Sequence, residues 1–197
     1  MVAISHAATA LLVKRRYPDA PMGWILFAAE LPGIAWVLLR LSGAEGPGIG
    51  MPYSHSVVSI ALVAAAVWLL VGCLLRRRAL GGAAALAIVL HLVLDLLLHA
   101  QALPLAPFGE VHLGLGLSGT PPLAIAAAMA YGLLCWLAFR GGKALLVVII
   151  LLTMAQLTFS GPLLLDIAVA VAAVWYFSRA RAAELEHPSR RLARAFA

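Results

Sequence analysis

The stretch from Leu80 to Ala102, LGGAAALAIVLHLVLDLLLHAQA, decides the fold class of this chain. It is almost entirely apolar, and it exceeds the roughly 20 residues that a helix needs to cross a bilayer core. The whole chain shares this character, since 64% of its 197 residues are hydrophobic and 11% are charged. Soluble domains average roughly 25% charged residues. Most of the surface must therefore face lipid, which predicts an integral membrane protein.

Further apolar runs of similar length predict an all-α, polytopic transmembrane helical bundle of six spans. Besides Leu80–Ala102, the predicted spans are Met22–Leu41, Ser54–Leu75, Pro122–Phe139, Ala144–Phe159 and Leu163–Phe177. The turn Ser160-Gly161-Pro162 joins the last two as a hairpin. We predict one transmembrane domain over residues 1–178 and a charged cytoplasmic tail over residues 179–197.

The N-terminal run Met1–Val13 is too short for a full span. Thirteen helical residues extend roughly 20 Å, whereas the bilayer core is roughly 30 Å thick. The run is either a partial or re-entrant helix within the membrane or a helix lying on the membrane surface.

The basic residues lie in short clusters at the ends of the apolar runs. If six spans alternate, every Lys and Arg except Arg40 falls on one side, which the positive-inside rule assigns to the cytoplasm. The C-terminus then also lies on the cytoplasmic side. Such clusters are typical of topology determinants and not of a surface that follows a phosphate backbone, so nucleic acid is not an expected partner. The expected partner is the lipid bilayer.

Titratable side chains within the predicted spans are the candidates for function, because a charged group at the bilayer centre is costly unless it is paired. His91 and Asp95 are four residues apart on one helix, so their Cβ atoms lie roughly 5–6 Å apart on one face. They are positioned to bind one divalent ion together, or to form a hydrogen bond that joins helices. His55 is the best third ligand from another helix.

Two further residues are candidate catalytic groups. Glu30 lies in the middle of the first full span, where it is expected to act as a general base or to stabilise the site. His99 extends the His91–Asp95 stripe by one turn, although a histidine near the membrane interface is also an ordinary amphipathic placement.

Several motifs together resemble a family of bacterial inner-membrane proteins described as membrane-bound metal-dependent hydrolases, itself distantly similar to zinc-dependent phospholipases C. They are SHAATALLVKRRYPDAP (Ser5–Pro21), AAELPGIAW (Ala28–Trp36), PYSHS (Pro52–Ser56), HLVLDLLLHAQALPL (His91–Leu105) and GLGL (Gly114–Leu117). The resemblance covers roughly the first 135 residues. It implies His6, His55, His91 and Asp95 as metal-site residues. Where the family often has an acid this chain has Gly33, and Glu30 lies one helical turn earlier.

These observations lead to two main hypotheses. The first is a hydrolase of the bacterial inner membrane that holds a divalent metal, Zn²⁺ by its ligand types, and cleaves an ester or phosphoester of a lipid-like substrate. The second is a non-catalytic membrane subunit whose buried polar residues bind a partner protein, a lipid or a quinone; Gly33 in place of the family's acid favours it. A proton or ion pathway ranks last, because the cytoplasmic half of the spans is almost purely apolar.

Overall fold

A computed structural model describes residues 3–46, 51–98, 103–158 and 163–186. Seven α-helices account for most of these residues: α1 Ala3–Arg16, α2 Met22–Leu41, α3 Val57–Val67, α4 Arg78–Leu98, α5 Pro121–Phe139, α6 Lys143–Thr158 and α7 Leu163–Glu186. The all-α prediction is therefore confirmed.

The helices vary in their suitability as membrane spans. By length and composition, four segments are long and apolar enough to cross a bilayer: Met22–Leu41, Val57–Leu74, Arg78–Leu98 and Pro122–Phe139. Helix α6 is apolar but shorter. These four segments indicate a bilayer environment, whereas the full count of six spans stays a prediction. Helix α7 runs past residue 178 without a break, and the predicted domain boundary there also stays a prediction.

Helix α1 lies inside the bundle, where it packs against α2, α4, α5, α6 and α7. Residues 4–11 are all at most 1% exposed, so side chains around its whole circumference are buried. A helix that is hydrophobic all round is buried, and the small side chains of this one let its neighbours approach closely. Of the two alternatives for the N-terminal run, the structure thus supports a helix within the bundle.

Polar contacts at both ends hold α1 in place. The Ile4 backbone amide donates a hydrogen bond to Gln156 Oε1 of α6 at 2.9 Å. At the other end, the ammonium group of Lys14 is buried and donates to the carbonyls of Pro18 and Ala20, each at 2.7 Å. Lys14 therefore closes the turn between α1 and α2. These contacts fix the depth of α1, and with it the depth of His6.

Helix α3 begins at Val57 and not at Ser54, where the apolar run begins. The cause is Ser56, whose hydroxyl accepts a hydrogen bond from the Ser59 amide and so caps the helix. Residues 51–55 consequently form a turn ahead of the helix. The helix continues at its other end as a π-helix over Trp68–Leu74.

A short antiparallel hairpin, β1 (Leu103–Pro104) and β2 (His112–Leu113), follows α4. It is tied to the helices, because the Val58 amide donates to the Leu105 carbonyl and the Leu115 amide donates to the Leu96 carbonyl. The hairpin thereby packs over the ends of α3 and α4 that carry the predicted site.

Candidate metal centre

Four parts of the chain bring titratable side chains together inside the bundle. Helix α1 supplies His6, α2 supplies Glu30, the turn before α3 supplies His55, and α4 supplies both His91 and Asp95. Each of these five residues is at most 1% exposed. Their convergence requires the packing of α1 and α2 against α4, which the contacts between these helices provide.

The Asp95 carboxylate lies at the centre of this group. Its Oδ1 is 3.4 Å from His6 Nε2, and its Oδ2 is 3.2 Å from His91 Nε2 and 3.5 Å from His55 Nε2. The imidazoles are also close to one another, with ring centroids 3.9 Å apart for His6 and His91 and 5.6 Å apart for His55 and His91. All three predicted histidines therefore present the same ring nitrogen to one carboxylate.

A backbone hydrogen bond fixes which nitrogen of His91 carries its proton. His91 Nδ1 lies 2.6 Å from the carbonyl oxygen of Ala29. A carbonyl can only accept, so Nδ1 must be the donor. In the neutral ring, Nε2 then presents its lone pair toward the Asp95 carboxylate. This is the arrangement found when a histidine binds a metal through one nitrogen and is oriented through the other.

The distances among these groups are compatible with a metal site. Charge-assisted N–H···O bonds are about 2.7–2.9 Å long, and the three distances to Asp95 are longer than this. Two ligand atoms on one tetrahedral zinc ion with bonds of about 2.0–2.1 Å are about 3.3 Å apart. The distances of 3.2–3.5 Å match that separation.

His6, His91 and Asp95 form the tightest group. One ligand atom from each of these residues lies within 4.8 Å of the other two. Two imidazoles and a carboxylate are a common ligand set of catalytic zinc, in which three protein ligands leave a position open for water or substrate. His55 lies outside this group, although its Nε2 is 3.5 Å from Asp95 Oδ2.

Glu30 adds a second buried carboxyl group next to the cluster. It follows Ala29, whose carbonyl binds His91, and it lies close enough to interact electrostatically with both His91 and Asp95. Neither of its carboxylate oxygens has a hydrogen-bond partner among the residues that the structure describes. Such a group is costly to bury without compensation.

The remaining sequence predictions have different outcomes. His99 lies outside the described residues. Gly33 is buried on α2 and contributes no side chain, so the acid expected from the family resemblance is absent at that place. The predicted cluster of His6, His55, His91 and Asp95 is brought together, whereas its occupation by a metal stays a prediction.

Sequence reasoning missed Glu45 and Ser54. Glu45 is 3% exposed and accepts hydrogen bonds from the backbone amides of Tyr53 and Ser54, at 2.6 and 2.8 Å. It also accepts one from the Ser54 hydroxyl at 2.5 Å, and the same hydroxyl lies 2.7 Å from His55 Nδ1. An acid in a stretch rich in Gly and Pro suggests a solvated loop. The one available signal was its position before a turn that carries a predicted ligand.

No family model, curated protein or solved structure matches this chain. The geometry of the cluster therefore carries the functional argument.

Proposed function

We propose that this protein is a membrane-embedded hydrolase that uses a divalent metal ion, Zn²⁺ by its ligand set, to cleave an ester or phosphoester in a lipid-like substrate. The observation that carries the proposal is the convergence of three histidine Nε2 atoms on the Asp95 carboxylate inside an apolar bundle. Imidazole and carboxylate ligands together suit zinc.

Each residue of the cluster would have a separate role in this function. His6, His91 and Asp95 would hold the ion, His55 would be a fourth ligand, and water would take a fifth position, a coordination number that catalytic zinc can reach. Zinc in such a site acts as a Lewis acid and makes water acidic enough to serve as a nucleophile near neutral pH. Helices α1 and α2 exclude bulk water from the site, since the side chains around it are buried.

Glu30 would be the residue that moves the proton. Its oxygens are buried and lack hydrogen-bond partners in the described part of the chain, so either is available to accept a proton from water. The same carboxyl group would then deliver that proton to the leaving oxygen of the substrate. General acid–base catalysis of this kind accelerates reactions by about 10²–10⁴-fold.

An apolar crevice supports a lipid-like substrate. It has a volume of about 70 Å³ and lies between α2, α3 and α4. Leu31, Pro32, Val63 and Ile88 line it, and so does Ser54, whose hydroxyl contacts His55. Val63, one of these lining residues, is also exposed on α3, where lipid chains would surround the helix. A hydrocarbon chain fits this lining better than a polar substrate does.

The location belongs to the same proposal. We place the protein in the bacterial inner membrane, with six spans and a cytoplasmic C-terminus. The distribution of Lys and Arg supports this orientation, since all but Arg40 then face the cytoplasm. The site would lie toward the outer leaflet, as the turn carrying His55 precedes a span that runs inward from the outer side.

One observation favours a second candidate function. Gly33 stands where the resembling family often has an acid, so the site has one fewer carboxyl group than that pattern. A non-catalytic subunit that holds a metal or binds a partner, a lipid or a quinone would also use a buried polar cluster. The two candidates differ in whether the metal-loaded protein turns over any ester.

The test is hydrolysis by the zinc-loaded full chain in detergent micelles containing phospholipids and carboxylic ester lipids. We expect wild-type protein to release product and Glu30→Gln to retain its metal while losing about 10²–10⁴-fold in rate. Glu110→Gln is the matched control, since Glu110 is an exposed acid of the hairpin loop. Metal-loaded wild-type protein that cleaves neither class of ester would contradict the hydrolase and favour the non-catalytic subunit.

A further inference from the structure

The contacts of Glu45 determine the direction of a short chain of hydrogen bonds that ends at the metal cluster. Its Oε1 accepts from two backbone amides, those of Tyr53 and Ser54, and its Oε2 accepts from the Ser54 hydroxyl. An ionised carboxylate only accepts hydrogen bonds. Ser54 therefore donates its single hydroxyl proton to Glu45.

Because the Ser54 proton is donated to Glu45, the direction of the contact between Ser54 and His55 is also determined. Ser54 Oγ lies 2.7 Å from His55 Nδ1, and with its own proton already donated, the oxygen accepts here. His55 Nδ1 must then carry a hydrogen. In the neutral ring, the lone pair is left on Nε2, the atom that faces Asp95 Oδ2 at 3.5 Å.

We propose that Glu45 is a positioning residue that acts through Ser54 to hold His55 in the tautomer whose Nε2 lone pair points into the cluster. His91 is held in the same tautomer by a different device, the carbonyl of Ala29. Two independent contacts thus direct two lone pairs toward one carboxylate, which is the polarity that a cation requires. The tautomer itself does not depend on the proposed function; its consequence for metal binding rests on it.

Replacing Glu45 by Gln should reverse the direction of the hydrogen bonds that join residue 45, Ser54 and His55. The Gln carbonyl oxygen must face the two backbone amides, because the alternative would set an NH₂ group against both. The Gln NH₂ group would then donate to Ser54 Oγ. The hydroxyl proton would turn toward His55 Nδ1 and displace the hydrogen there, so that Nε2–H would point at Asp95. Gln occupies nearly the same volume as Glu, and the packing is expected to be retained.

The experiment is ¹⁵N NMR of the ring nitrogens in metal-free, ¹⁵N-histidine-labelled full chain at mildly alkaline pH, with the His55 signals assigned by His55→Asn. In wild-type protein and in the control Glu110→Gln, we expect Nδ1 to be protonated and Nε2 to show the signal of a nitrogen with a lone pair. In Glu45→Gln, we expect Nδ1 to show the signal of a nitrogen with a lone pair. Nδ1 that stays protonated in Glu45→Gln would overturn the proposal, and so would a wild type in which Nδ1 is unprotonated or Nε2 is protonated.

Two further measurements keep the test decisive. If Glu45→Gln does not fold, Ser54→Ala removes the relay with a smaller change, and we expect the Nε2–H tautomer of His55 to become populated; a ring still wholly protonated at Nδ1 overturns the proposal. If Glu45→Gln folds, its zinc dissociation constant should rise about 10–100-fold, as for other residues that orient a ligand. Unchanged zinc affinity despite a reversed tautomer would overturn the role in metal binding. A wild type that binds no zinc refutes the proposed function, while the NMR result still decides the tautomer.

Discussion

Replacement of Asp95 by Asn offers the sharpest mutational test of the metal centre. Asp95 is the residue that all three histidine Nε2 atoms face, at 3.2–3.5 Å. The amide fills the volume of the carboxylate, so the metal-free variant is expected to fold. It lacks the negative charge, and its NH₂ group offers hydrogen atoms where the metal needs a ligand oxygen.

The size of the effect follows from the number of ligands. Zinc bound at four ligands of a protein site contributes about 10–16 kcal/mol in total, hence about 3 kcal/mol for each ligand. Since about 1.4 kcal/mol corresponds to a tenfold change, the dissociation constant should rise by about 100-fold or more. At a free zinc concentration of 100 times the wild-type constant, binding stabilises the wild type by about 2.7 kcal/mol and the variant by about 0.4 kcal/mol.

The assay is thermal unfolding in detergent with and without zinc. For a chain of this size, about 1 kcal/mol shifts the unfolding temperature by about 2–4 °C. We therefore expect zinc to raise the unfolding temperature of the wild type by about 5–10 °C and that of Asp95→Asn by only ~1 °C. His112→Ala is the control, because His112 is an exposed histidine of the hairpin. An Asp95→Asn variant with the full zinc-dependent shift would refute the reasoning.

Three other predictions concern the crevice and the packing. Ala35→Phe should fill the crevice and slow the hydrolysis of long-chain lipid esters more than that of short-chain esters, at unchanged metal content; equal slowing of both would contradict binding of the hydrocarbon chain in the crevice. Gly81→Ala should destabilise the fold by about 1–3 kcal/mol in chemical unfolding, because the added Cβ would lie 2.5 Å from the Gly72 nitrogen. The matched Gly23→Ala, whose Cβ meets no atom within 4 Å, should not destabilise it, and equal effects would refute the packing argument. Ser56→Ala should remove the cap of α3 and cost about 1 kcal/mol, measured in the same way.

The part of the site that follows from helix geometry was predictable from the sequence. His91 and Asp95 are four residues apart in an apolar run, and any α-helix brings such a pair onto one face. Helix α2 begins and ends at the predicted residues, Met22 and Leu41, because its apolar run has Pro and Ser at its borders. Local periodicity and the length of the apolar run are enough to predict which residues share a helix face and where a helix begins and ends.

The contributions that depend on tertiary packing were not predictable in the same way. His6 joins the cluster because α1 is inserted among five other helices, and the length of its apolar run does not distinguish a surface position from a central one. A signal was present, since its residues are small or apolar on every face. The relay of Glu45 and Ser54 depends on a contact between residues nine positions apart in the sequence. No local pattern reports that contact.

The central claim is that the three imidazoles and the Asp95 carboxylate are buried together because they hold a divalent cation. Elemental analysis of the detergent-purified full chain tests it most directly, after dialysis against trace zinc. The account predicts about one zinc ion per chain in the wild type and in His112→Ala, and a loss of most of it in His91→Ala. Wild-type protein without bound metal, or equal metal in His91→Ala, would contradict it.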